Sequence, residues 1–294
     1  MNKKIRIGSR ESLLALKQTE IVMGSVKRAR PEIEFELVKI KTAGDRILDT
    51  TLDEIGGKGL FIKELEQALM DGAIDVAVHS YKDMPYEETD GLPVVALSKR
   101  DSPFDALVLP EGAAEPLSSG PVGSSSLRRT IQWEMLYKGF EIKAIRGNVL
   151  TRLEKLDRGE YSALILAQAG LNRLGLGSRI SRVFTADEMI PSGSQGILAV
   201  QGRAGEDHTY LDVFHDKVSE IVSKAERQYL KTLGGGCSSP VAVYGQLRDN
   251  ELLLRGMYVD GSGNVEKGTM SGSADGAEAL GEALALELKA RLGC

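Results

Sequence analysis

Two side chains in this sequence are set apart as centres of chemistry. One is Cys237, which follows Leu233-Gly234-Gly235-Gly236 and is one of only two cysteines in 294 residues. A thiol is a soft nucleophile, and glycine lets the backbone take unusual dihedrals or approach a bulky neighbour. The run therefore suits either a group held on or near the sulfur or a small buried thiol beside a flexible turn, a common setting for free cysteine. The other is Asp83, in His79-Ser80-Tyr81-Lys82-Asp83-Met84-Pro85 just after a short apolar run. A carboxylate there can move a proton or steady a developing cation, or it can cap a turn.

Around these stand arginines that recur at turns: Arg10, Arg128, Arg129, Arg146, Arg152 and Arg173. A guanidinium grips a carboxylate with a planar fork. Any one of them alone reads as a surface ion pair, but six at turns after strands read as an anion site. Gly8-Ser9-Arg10 echoes Gly123-Ser124-Ser125-Ser126-Leu127-Arg128-Arg129, each leading from a short strand into a helix. A helix start offers an anion ~0.3–1 kcal/mol, and a charged hydrogen bond ~1.5–3 kcal/mol, so the arginines dominate. The net charge of −5 argues against a nucleic-acid binder and for a small anionic ligand. Gly56-Gly57-Lys58-Gly59 lacks phosphate-loop spacing, and no Gly-x-Ser-x-Gly elbow occurs. His79, His208 and His215 lack metal-ligand spacing, and there is no Cys-x-x-Cys, so no metal is expected.

The elements that must carry these residues alternate. Strands are predicted at Ile5–Gly8, Glu34–Lys41 (Phe35, Leu37 and Val38 inward) and Ile74–Val78, with helices over Leu13–Arg28 and around Phe61–Leu69, where Phe61, Ile62, Leu65, Ala68 and Leu69 share one face. Residues 42–59 are polar and glycine-rich, a functional loop. The pattern restarts after Asp101 with strands Ala106–Leu109, Val122-Gly123, Ile142–Ile145 and Ala163–Leu166, a helix opening near Ser126 and another over Val149–Arg158. Ile197–Gln201 reads as a strand, Asp212–Lys231 as a long helix, and Pro240–Cys294 as three strands and a helix. Such alternation predicts mostly parallel sheets with ligands at the carboxyl ends of strands, and the echo predicts two similar α/β domains across a cleft. The composition, 42% apolar and 27% charged, is that of a soluble globular chain with no membrane-length apolar run. Met1–Ile7 enters a strand without a signal-peptide core, so the expected location is the cytoplasm, with reduced thiols and no Cys237–Cys294 disulfide.

Taken together, Gly8–Ser12, Gly56–Phe61, His79–Pro85, Gly123–Arg129, Arg146-Gly147-Asn148-Val149-Leu150-Thr151-Arg152-Leu153 and Leu233–Cys237 occur in the order found in the porphobilinogen deaminases, or hydroxymethylbilane synthases, which the chain resembles over essentially its whole length. The resemblance implies a transferase of tetrapyrrole synthesis that joins four porphobilinogen molecules head to tail and releases four ammonia. It implies a dipyrromethane cofactor in thioether linkage to Cys237 and a catalytic role for Asp83 over the pyrrole nitrogens. By the same pattern, Ser80, Lys82, Asp83, Ser125, Arg128, Arg129 and Arg146 hold the cofactor, and Arg10, Ser12, Lys58, Phe61, Arg152 and Arg173 hold substrate. Gln195 and Arg227 fall in matching segments without an assigned role.

The implied fold is α/β: two periplasmic-binding-protein-like α/β domains around a cleft plus a small C-terminal α+β domain carrying the cysteine. The expected divisions are 1–98 with a return segment 192–214, then 99–191, then 215–294, in a monomer without nucleic-acid or membrane partners. One departure stands out. Ser102-Pro103-Phe104-Asp105 replaces the family's Asp-Pro-Arg-Asp, which predicts the loss of an arginine contact there. A non-catalytic solute-binding protein is the competing reading, and it has no use for Asp83 or Cys237. An inactive relative is the third.

Overall fold

Apolar residues at every second place in the strands, and at helical spacing between them, build the first of two compact units, Met1–Asp101 with Ile197–Glu220. The structure, a computed structural model, describes residues 3–42, 62–113, 120–235 and 240–293. The expected loop beyond Thr42, with Lys58 and Phe61, lies outside them, as do Cys237 and Cys294. The first unit runs β1 (Lys3–Arg10), α1 (Leu13–Ala29), β2 (Ile33–Ile40), α2 (Lys63–Met70), β3 (Val76–Ser80) and β4 (Val94–Leu97), and is joined later by β10 (Leu198–Gly202). The sheet order is β2-β1-β3-β10-β4. Ile5, Ile7, Val76, Val78 and Val200 face Val22 and Val26 of α1, while Ala77 on the other face meets Leu65 and Leu69 of α2. Strand β2 serves both cores, Phe35 and Leu37 on one side and Val38 and Ile40 on the other.

The second unit, Ser102–Gly196 with Ile221–Cys294, repeats the plan. Its first part is β5 (Asp105–Val108), β6 (Val122–Gly123), α3 (Leu127–Leu136), β7 (Ile142–Lys143), α4 (Val149–Asp157), β8 (Ala163–Ala167), α5 (Gln168–Arg173) and β9 (Arg182–Val183). The order β7-β6-β8-β5-β9 matches the first sheet place for place. The echo in the sequence is thus an echo in space. Gly8 and Gly123 occupy equivalent positions beside the central strand, where a Cβ would lie 2.3 Å from Ile74 Cδ1 and 2.4 Å from Leu164 Cδ2 respectively.

Both sheets differ from the expected parallel arrangement at one place. The strand that has crossed between units, β10 in the first sheet and β5 in the second, runs antiparallel to both neighbours. The remainder comprises α6 (Lys217–Thr232) and the antiparallel sheet β11 (Ala242–Arg248), β12 (Glu251–Val259), β13 (Val265–Ser273), backed by α7 (Ala277–Arg291). Helix α6 starts five residues later than expected. Asp216 caps it, its carboxylate accepting the Ser219 N–H at 2.7 Å.

Phe104, the departing residue, packs edge-on against Tyr244 with ring centroids 5.7 Å apart. With Ile131 and Ile190 it joins an apolar cluster around Tyr244, Met257 and Val259. An aromatic contact to β11 therefore stands where an arginine was expected, and it helps hold the antiparallel sheet to the second α/β layer.

Candidate active site

In the first unit the site residues gather where β1 and β3, parallel neighbours, both end. Arg10 closes β1. Ser12 caps α1, its Oγ accepting the Ala15 N–H at 3.3 Å. Ser80 closes β3, and its Oγ accepts Gln18 Nε2 at 2.9 Å from the buried face of α1. A single 3₁₀ turn, Tyr81–Asp83, follows. It is pinned at both ends, by the Tyr81 N–H to Ile197 O at 3.0 Å and by burial of the Tyr81 and Met84 side chains. Lys82 is half-buried and Asp83 is exposed. The carboxylate is thus presented to solvent on a short, fixed turn.

The second unit builds its cluster at the equivalent strand ends. Asp105 opens β5 opposite Ala167, the last residue of β8, and is 0% exposed. Its Oδ2 accepts Arg128 Nη1 at 2.6 Å, and its Oδ1 accepts Arg129 Nε at 3.0 Å and Nη2 at 2.7 Å. Gln195 Nε2 donates to the same Oδ1 at 3.0 Å and to Pro103 O at 2.6 Å. Burial alone would raise the Asp105 carboxyl, but Arg128 and Arg129 outweigh it and hold the group well below the usual carboxylate range. Burial also lowers Arg128, opposed by Asp105 and reinforced by Arg129.

Ser125 ties the loop together, its Oγ donating to Ile145 O at 2.7 Å and accepting the Ile145 N–H at 2.9 Å. This fixes the chain next to Arg146. Arg152, on α4, donates from Nε to Gly147 O at 2.8 Å. Its pKa falls to about 10, first through burial and then through the positive charges of Arg129 and Arg146. Arg129, Arg146 and Arg152 therefore act on one another. Two guanidiniums on one buried carboxylate, with Arg152 beside them, leave a surplus of positive charge. Arg173, at the end of α5, donates from Nη2 to Gly196 O at 2.6 Å.

The glycine run has a local structural cause. Gly234 has φ +64° and ends α6, with the Gly234 N–H bonded to Lys231 O at 3.0 Å and the Gly235 N–H to Leu230 O at 2.8 Å. This is the Schellman pattern, and glycine suits its left-handed position.

Residues 5–211 match the family described as "Porphobilinogen deaminase, dipyromethane cofactor binding domain", and residues 221–290 match "Porphobilinogen deaminase, C-terminal domain". The chain is 56% identical to a porphobilinogen deaminase of Acetivibrio thermocellus, over 97% of this chain and 98% of that one. It belongs to the porphobilinogen deaminase family. The enzyme of that name from Alkaliphilus oremlandii is also 56% identical, over 97% of both chains. That from Neisseria meningitidis is 43% identical, over 97% of this chain and 94% of its own.

The cofactor named in the family description fits the observed donors. A dipyrromethane carries carboxylate side chains, and the surplus positive charge at Arg128, Arg129 and Arg152 calls for anions of that kind. Sequence reasoning missed two fully buried carboxylates. Asp105 stood only as part of a departing stretch. Glu226, 0% exposed on α6, accepts the Ser194 N–H from Oε2 and the Gly245 N–H from Oε1, both at 2.7 Å. An available signal was its place on the apolar stripe Val222, Ala225 and Tyr229, where a carboxylate needs buried donors.

Proposed function

We propose that this chain is a transferase, a hydroxymethylbilane synthase, that condenses four porphobilinogen molecules head to tail with loss of four ammonia and releases the linear hydroxymethylbilane by hydrolysis. The observation that carries the reading is the buried Arg128–Asp105–Arg129 group with Arg152 beside it, a net positive site for a polycarboxylate. When bound through Cys237, the dipyrromethane supplies a permanent primer to which pyrrole units are added.

The chain's own residues have separable tasks. Arg128, Arg129, Arg146, Lys82, Ser80 and Ser125 bind and orient the primer's carboxylates. Arg10, Ser12, Arg152 and Arg173, with Lys58 and Phe61, receive the incoming substrate. The Asp83 carboxylate accepts the pyrrole N–H and steadies the cation that forms as ammonia leaves the substrate, then takes the proton lost at the new ring junction. Its exposed position on a pinned turn supports that role. The three-domain division, 1–98 with 192–214, 99–191 and 215–294, belongs to the same reading, as does a cytoplasmic monomer. Among the described residues no helix is long and apolar enough to cross a membrane.

Intact mass under denaturing conditions tests the proposal. Active protein should exceed its sequence mass by two pyrrole units, and Cys237→Ser should abolish the increment. Unmodified mass from active protein would refute the covalent primer.

A further inference from the structure

We propose that Asp105 is a positioning residue for ligand carboxylates: it fixes both the direction and the net charge of the Arg128–Arg129 pair. The proposal rests on the functional reading above. Each guanidinium is held at two points, the Asp105 carboxylate and a backbone carbonyl. For Arg128 the second point is Ile190 O, 2.8 Å from Nη1; for Arg129 it is Ile165 O, 3.0 Å from Nη1. Arg128 spends only Nη1 on these bonds, so its Nε and Nη2 edge has no acceptor among the described residues. One negative charge against two positive leaves one positive charge over, at side chains only 5% and 9% exposed. Without Asp105 the two guanidiniums would repel and turn apart. With two carboxylates there, the pair would have no charge left for a ligand.

The fold itself does not require this carboxylate. The first sheet has the same strand order, and its place equivalent to Asp105 is Leu198, which opens β10 opposite Ser80, the last residue of β3. A leucine closes that sheet. Asp105 is therefore tied to the arginines rather than to the architecture. Gln195 donates to the same Oδ1 that Arg129 holds, and ties it to Pro103 O.

The test uses full-length, cofactor-free protein incubated with porphobilinogen, with the gain of two pyrrole units followed by intact mass. Each variant is assayed well below its own unfolding midpoint. Asp105→Asn should raise the porphobilinogen concentration for half-maximal loading by at least about tenfold, the lower end of what a charged hydrogen bond is worth. Gln195→Leu, which removes one neutral donor from Asp105 and leaves all charges in place, should raise it about threefold. A purely structural Asp105 would lower the midpoint but leave half-maximal loading unchanged, and that result overturns the proposal. If Asp105→Asn does not fold, Gln195→Leu decides alone: wild-type loading overturns it and a threefold shift supports it. Wild-type protein that gains no mass would instead remove the functional reading, and the proposal with it.

Discussion

Arg152→Gln should make the cofactor-free protein more stable and the enzyme worse. Arg152 is held charged although its pKa has fallen from 12.5 to about 10, through burial first and then through Arg129 and Arg146. For a cation, a lowered folded-state pKa means that the fold disfavours the charged form at every pH below about 10. At ~1.4 kcal/mol per tenfold, that penalty is about 3 kcal/mol at neutral pH. Glutamine removes it but gives up the 2.8 Å bond from Nε to Gly147 O, worth ~1 kcal/mol. The net gain is ~2 kcal/mol, or a rise in Tm of about 4 °C for a chain of this length. Calorimetry in a Cys237→Ser background, where neither protein carries a primer, measures it. In the Cys237 protein, kcat/KM for porphobilinogen should fall ~10–100-fold with the loss of one charged contact. Citrate should raise Tm more for Arg152 than for Gln at this position, because an anion relieves the repulsion. A glutamine variant less stable than its parent by 1 kcal/mol or more (~1) would show that the guanidinium is already compensated, and the anion-site argument would fail.

Three further outcomes follow from particular contacts. Asp83→Asn should leave the unfolding free energy within ~0.5 kcal/mol of wild type, because the residue is exposed, while slowing turnover ~100-fold or more with the primer still attached; full activity would remove Asp83 from the chemistry. Glu226→Gln should cost ~2–4 kcal/mol in denaturant unfolding, since an amide can accept only one of the Ser194 and Gly245 N–H groups with its oxygen and turns a donor toward the other. Acid should act through His79, which burial pushes down to about 4, with Gln201 opposing and Arg10 adding to the shift. Its folded pKa is depressed, so the unfolded chain binds the extra proton and stability drops as pH falls from about 6.5 toward 4, by up to ~3 kcal/mol; a His79→Gln profile as steep as wild type would contradict this.

The periodic elements were legible because they are local. Val22 and Val26 on one stripe, or Leu65 and Leu69 on another, declare a helix face within a few residues, and the structure buries those faces. The Gly-Ser-Arg echo likewise pointed to two similar sheets. Pairings between distant residues left no such trace. Ile197–Gln201 read as a strand, yet nothing nearby says that it inserts antiparallel between β3 and β4. The arginines at 128 and 129 looked like ligand donors because of their type and their place before a helix. That part of their hydrogen bonding is spent on Asp105, more than twenty residues upstream, depends on how β5 enters its sheet. Phe104 could be seen as a departure from a pattern, but its aromatic partner Tyr244 comes from a different sheet.

The antiparallel insertion of β10 has a consequence for the chain as it is made. Among the described residues, strand β4 is an edge strand whose only neighbour is β10, and about a hundred residues of synthesis separate them. At ~5–20 residues per second, a nascent first unit waits ~5–20 s with β3 and β4 unable to pair with the strand between them. Unpaired edges of that kind recruit other strands. The second sheet has no such delay, because all five of its strands lie between Asp105 and Val183. On the ribosome, the five-stranded sheet that is begun first is the one completed last.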